Sequence, residues 1–139
     1  TGLAEGLVEL VAKAEVGNGH RVLEQGLMVK AGGCLEIGGR RNPALVGRGR
    51  AREIVVNILL PFSSAYGEST PRPGLAMHAL ELYRSYPRLD ENEVTRYMMG
   101  QLFPQGGLKI VDSARRQQGL IHIYKNFCID RRCFDCPLA

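Results

Sequence analysis

The sequence predicts a mainly α-helical fold, an irregular multi-helix domain of five or six helices with a cysteine-rich C-terminal loop. Three observations carry that expectation. Apolar residues recur at three- and four-residue spacing in several stretches. Gly-Gly pairs, a Gly-Asn-Gly triplet and prolines separate those stretches. Three of the four cysteines fall in the last twelve residues, "CIDRRCFDCPLA".

The elements follow in order. Leu3, Leu7, Leu10, Val11 and Ala14 form one helical stripe, ended by Gly17-Asn18-Gly19, where positive φ is tolerated. Val22, Leu23, Leu27 and Lys30 suggest a second helix, weakened by Gly26 and stopped at Gly32-Gly33. From Gly32 to Gly49 the chain is rich in glycine and arginine and reads as a loop, with a short strand around Cys34 to Ile37 conceivable. The stretch "RAREIVVNILLPFSSAYGE" is far longer than the ~5–6 residues of an ordinary strand, so it predicts a helix that Pro61 kinks or divides. Its apolar residues on every side imply central burial.

Leu75, Ala79, Leu82, Tyr83 and Tyr86 make the next stripe, closed by Pro87. In "DENEVTRYMMGQLFP", Asp90 is a natural N-cap, and Val94, Tyr97, Met98 and Leu102 form the inner face. The last helix is expected from Leu108 to about Asn126, with Ile110, Ala114, Ile121, Tyr124 and Cys128 at helical spacing. Gln117 falls within that stripe and must find backbone partners if it turns inward. Asn57 poses the same question in the long apolar helix.

Length and composition bound the function. At 139 residues the chain is one domain, residues 1–139, and its 45% hydrophobic and 23% charged content excludes a disordered tail. No stretch reaches the ~18 uninterrupted apolar residues of a spanning helix, so no membrane partner is expected. No basic start precedes an apolar core, so nothing reads as a signal peptide. The chain opens in mid-helix, and we expect it to be the C-terminal piece of a longer cytoplasmic protein.

Cys128, Cys133 and Cys136 give C-x4-C-x2-C, the 128–136 cysteine cluster. A C-x2-C turn lets two thiolates point at one ion, which favours zinc or an iron–sulfur cluster over a disulfide in a reducing compartment. Arg131 and Arg132 offset thiolate charge. Both centres want a fourth ligand. Cys34 is the candidate, with a ligand from outside this sequence also open. His122, six residues before Cys128 on one helix, points to another face, while His20 and His78 lack supporting neighbours. The similar cysteine spacing of plant-type ferredoxins belongs to a strand-rich loop and does not transfer.

The net charge of +4 is unevenly spread. "GGRRNPALVGRGRAREI" has the glycines and arginines of a phosphate-binding loop but neither the lysine nor the spacing of a P-loop. Arg48, Arg50, Arg52, Arg115 and Arg116 are the candidate anion-binding residues, which points to nucleic acid as a partner. The opposing view of each is an ordinary solvated arginine. No serine, cysteine or histidine trio and no carboxylate pair supplies a catalytic set.

"GRGRAREIVVNILLPFSSAYG" and "SARRQQGLIHIYKNFCIDRRCFDCPL" resemble the C-terminal half of a bacterial family catalogued as a domain of unknown function (family 2851). The likeness covers most of the chain from about Gly47 onward. It rests on a final helix with a Q-G-L-x-x-x-Y stretch that closes on C…C-x2-C-P. It implies an N-terminal region of the same protein, rich in His, Asp and Glu and of hydrolase or nuclease character. No position of that region exists in this sequence.

The sequence thus leads to a metal-stabilised accessory domain of a nucleic-acid-processing protein. Two alternatives stay open: an interaction module with no nucleic-acid role, and a thiol redox switch working through Cys133 and Cys136.

Overall fold

Helices carry most of the chain, as the periodicities predict. The computed structural model describes residues 2–30, 36–37, 40–41, 44–106 and 110–138. Its backbone falls into two compact units, Thr1–Tyr86 and Pro87–Ala139.

In the first unit, α1 (Leu3–Lys13) and α2 (Gly19–Leu27) are separated where Gly17 adopts a left-handed φ of 100°. The buried stripe of α1 is offset from the predicted one. Val8, Val11 and Ala14 are buried, Leu7 and Leu10 are half-buried, and Leu3 is exposed. Leucines and valines interleave so closely here that two adjacent stripes satisfy the same spacing. On α2, Leu23 and Glu24 are buried while Val22 faces solvent.

The second helix stops at Leu27, so Lys30 lies on a short strand instead, and the region expected to be a loop contains three more short strands among its described residues. β1 (Val29–Lys30) pairs antiparallel with β4 (Ala44–Val46), Val29 opposite Val46 and Lys30 opposite Ala44. Between them β2 (Glu36–Ile37) pairs antiparallel with β3 (Arg40–Arg41). Strands of two and three residues are too short to write an alternating pattern into the sequence.

From Arg48 the backbone stays helical to Ser69, as α3 (Arg48–Ile54), a π turn (Val55–Leu59) and α4 (Leu60–Ser69). Pro61 neither breaks nor divides it. A helical proline lacks an N–H and presses its ring on the carbonyl four residues back, here that of Asn57. The widened turn before it, in which the Leu60 N–H reaches the Val55 carbonyl, accommodates both defects. Central burial on every side does not hold. Val55, Val56, Leu59 and Leu60 are buried, but Asn57, Ile58 and Phe62 are exposed, so the Asn57 amide stitches nothing across the core.

α5 (Leu75–Ser85) buries Leu75, Ala79 and Leu82, with Tyr86 just beyond its end, as the stripe predicts. It packs against α4, and Gly67 lets the two approach. A Cβ there would stand 2.6 Å from the Ala76 backbone nitrogen.

In the second unit, α6 (Glu93–Leu102) starts two residues later than expected, capped by Asn92 rather than Asp90. The Asn92 side chain accepts from the Thr95 N–H at 2.8 Å, and the Thr95 hydroxyl accepts from the Asn92 N–H at 3.1 Å. That reciprocal pair decides between two good capping residues. It also turns Thr95 inward, and Tyr97 is exposed. α7 (Ala114–Ile123) begins well after Leu108, because Ser113 is extended and forms an isolated bridge with Pro87. It continues as a π turn, Tyr124–Cys128. Met98, Met99, Val111 and Leu120 form the core of this unit, with Tyr124 and Cys128 packed against it.

Gln117 is turned inward, 1% exposed. Its Oε1 accepts from the Leu89 N–H at 2.6 Å and its Nε2 donates to the Leu89 carbonyl at 3.0 Å. Both ends of one amide hold both polar groups of one residue on the segment between α5 and α6.

Candidate functional site

The cysteine segment is built by the way the last helix ends. Arg131 takes φ 53°, the left-handed region. The Arg132 N–H bonds the Phe127 carbonyl at 2.8 Å and the Arg131 N–H bonds the Cys128 carbonyl at 3.2 Å. That crossed pair around a left-handed residue is a Schellman cap. It reverses the chain after Cys128 and returns the 3-10 turn Cys133–Asp135 to the π turn that bears Cys128.

Glycine is the usual residue at the left-handed position, and a Cβ there costs ~1–2 kcal/mol. Arg131→Gly is expected to stabilise the chain by about 0.5–1 kcal/mol, the relief exceeding glycine's greater unfolded-state freedom. Urea unfolding of the two proteins checks it.

Within that frame the three thiols differ. Cys133 is exposed, Cys136 is half-buried, and all three described cysteines are free. Cys128 is half-buried, and its Sγ lies 3.9 Å from Met98 Sδ, so it packs as part of the apolar core. Arg132 pairs with Asp135 at 3.1 Å rather than with a thiol. Among the described residues no three His, Cys, Asp or Glu side chains converge closely enough to hold a metal ion. Cys34, the expected fourth ligand, lies outside the described residues.

The histidines are occupied locally. A carbonyl can only accept, so His78 Nε2 donates to Ala14 O at 2.8 Å. His20 lies edge-on to Tyr86, with ring centroids 5.9 Å apart. His122 is exposed beside Asn126.

The five candidate arginines separate into different environments. Arg50 bridges to Glu53 at 2.9 Å on the helix surface. Arg116 bonds Asp112 at 3.1 Å and the Ile110 carbonyl at 2.6 Å. Arg115 is exposed and has no ion-pair partner among the described residues. Arg48 and Arg52 both turn to Glu24, through Nε atoms 3.0 Å and 3.7 Å from its carboxylate.

Glu24 was not legible as a site residue. It is 2% exposed, and the Tyr86 hydroxyl donates to its Oε1 at 2.9 Å. Its partners Arg48, Arg52 and Tyr86 lie between 24 and 62 positions away in sequence, beyond any local pattern. One signal was present: an acidic residue beside Leu23 on the buried face of α2, followed by an excess of arginine.

Burial pushes the Tyr86 hydroxyl well above the ordinary tyrosine range, and the hydrogen bond and charge of Glu24 push the same way, against Arg52. The folded state therefore favours the neutral phenol. Its stabilisation is complete below the ordinary tyrosine pKa of about 10 and is lost as pH rises beyond it. Tyr86→Phe is expected to cost about 1 kcal/mol at neutral pH and to flatten the loss of stability between about pH 9 and 11. Urea midpoints of both proteins at the two pH values read this directly.

A cleft of about 330 Å³ between α4 and α5 is lined by Leu60, Pro61, Ser64, Glu68, Leu80 and Tyr83 and gathers no catalytic set. No helix among the described residues is long and apolar enough to cross a membrane. No family model, curated protein or solved structure matches the chain.

Proposed function

We propose that the chain is a helical accessory module in which Cys128, Cys133 and Cys136 supply thiolates to one zinc or iron–sulfur centre. The centre would tie the C-terminal tail to the end of α7 and contribute folding free energy rather than turnover. The observation that carries this reading is the left-handed reversal at Arg131, which folds a C-x2-C turn back on the segment ending in Cys128.

The donors suit the proposal chemically, since a sulfur-only set selects zinc or iron–sulfur over hard cations. Cys133 and Cys136 sit on an accessible turn; Cys128 has to rotate its sulfur away from Met98 to join them. A tetrahedral site needs one more ligand, for which Cys34 is the sequence candidate.

Anaerobic purification followed by metal analysis and a visible spectrum tests the idea. About one equivalent of zinc in a colourless protein, or iron with broad visible absorbance, is the expected result. A chelator should then lower the melting temperature, and Cys128→Ser, Cys133→Ser and Cys34→Ser should each reduce metal content. A metal-free chain whose melting temperature ignores added zinc overturns the reading.

The competing reading is a Cys133–Cys136 disulfide. Residues three apart on a 3-10 turn lie about 6 Å apart at Cα, within disulfide reach. Thiol counting after mild oxidation separates the two: metal-bound thiolates resist, a switch loses two thiols reversibly.

A further inference from the structure

We infer that Arg48 is a recognition site for the phosphate backbone of nucleic acid, held in its binding posture by the buried carboxylate of Glu24. Removing a carboxylate from water requires compensation, and one guanidinium supplies it. Glu24 has two, Arg48 and Arg52, together with the Tyr86 hydroxyl. The cluster sets two guanidinium groups against one buried carboxylate.

The geometry says where the Arg48 guanidinium is directed. Arg48 meets Glu24 through Nε, and its side chain is 66% exposed. Among the described residues its two terminal Nη groups have no hydrogen-bond partner. A guanidinium fixed along one edge presents the other as a planar fork, the shape that bonds two phosphate oxygens at once. Because the side chain is already ordered, less rotamer freedom is lost on binding. Arg50, by contrast, spends one of its two terminal nitrogens on Glu53.

The surrounding charge identifies the ligand class. Between Val29 and Arg52 stand six cationic residues, Lys30, Arg40, Arg41, Arg48, Arg50 and Arg52, against the single carboxylate Glu36. Glu24 and Glu53 pair with arginines of this segment, and with them counted the local charge is still +3 of the chain's +4. β1 carries Lys30, β3 carries Arg40 and Arg41, and β4 leads through Gly47 directly into Arg48. Cations placed on two short strand pairs and on the helix that follows β4 match a polymer of repeating phosphates better than one isolated anion. This inference uses none of the cysteines and stands apart from the thiolate proposal.

Fluorescence anisotropy of the full chain with labelled single-stranded and duplex oligonucleotides, from about 50 to 200 mM salt, provides the test. Binding should weaken steeply with salt. Arg48→Lys keeps the charge and loses the fork, and should weaken binding about tenfold. Glu24→Gln raises the net charge from +4 to +5. Nonspecific attraction would then tighten binding, whereas loss of positioning weakens it. Should Glu24→Gln fail to fold by circular dichroism, Arg48→Lys decides alone. The inference is overturned by wild-type affinity in Arg48→Lys, by tighter binding in folded Glu24→Gln, or by absence of oligonucleotide binding at the lowest salt. It is equally overturned if the chain binds phosphatidylserine vesicles but no oligonucleotide.

Discussion

Glu24→Ala is expected to destabilise the chain by about 3–5 kcal/mol, the largest effect of any single substitution considered. The cost does not come mainly from the Coulomb energy of the Arg48 pair, whose guanidinium is largely exposed and screened by water. It comes from what is left behind. Arg52, with its side chain only 19% exposed, loses the carboxylate beside its Nε, and the buried Tyr86 hydroxyl loses its acceptor. Glu24→Gln keeps the shape and an acceptor oxygen, so it should cost less than the alanine. Chemical denaturation of the wild type and both variants measures the difference. Equal stability of Glu24→Ala and wild type would mean that Arg52 and Tyr86 are satisfied without it.

The second large effect lies in the other unit. Gln117→Ala should cost about 3 kcal/mol, combining a small cavity with two backbone groups left without partners. Gln117→Leu separates these contributions. Leucine restores most of the volume and none of the hydrogen bonding, so about 2 kcal/mol of the loss should remain. The readout is again the urea midpoint, supplemented by hydrogen exchange at the Leu89 amide, which should accelerate in both variants. A leucine variant as stable as wild type would show that the Leu89 N–H and carbonyl have other partners.

These two residues mark the boundary of what the sequence discloses. Gln117 was legible because a polar side chain interrupted an otherwise apolar stripe, and an amide on a buried face has to bond something. The α5 stripe was legible for the same reason of period, and Leu75, Ala79, Leu82 and Tyr86 are indeed buried. Glu24 was not, since the groups that justify its burial come from the start of α3 and the end of α5. On α1, Leu7 and Val8 compete for the same face, and only packing chooses between them. The start of α6 turned on Thr95, a weak signal beside an aspartate that caps well on its own. The cysteine spacing was plain, but the direction of Cys128 was not, because a thiol serves equally as a ligand and as a small apolar side chain.

The wide turn at Val55–Leu59 carries one residue more than an ordinary turn of the same helix. The wider turn absorbs the added residue, so Leu60–Ser69 keeps the phase relative to Arg48–Ile54 that a regular helix one residue shorter would give it. Deleting exposed Asn57 or Ile58 would close the turn to normal pitch and preserve both phases, except that the proline ring would then meet a carbonyl with nowhere to move. Chain length and one imino acid are therefore coupled in this segment. Shortening by one residue is compatible with the same packing only when Pro61 is exchanged as well.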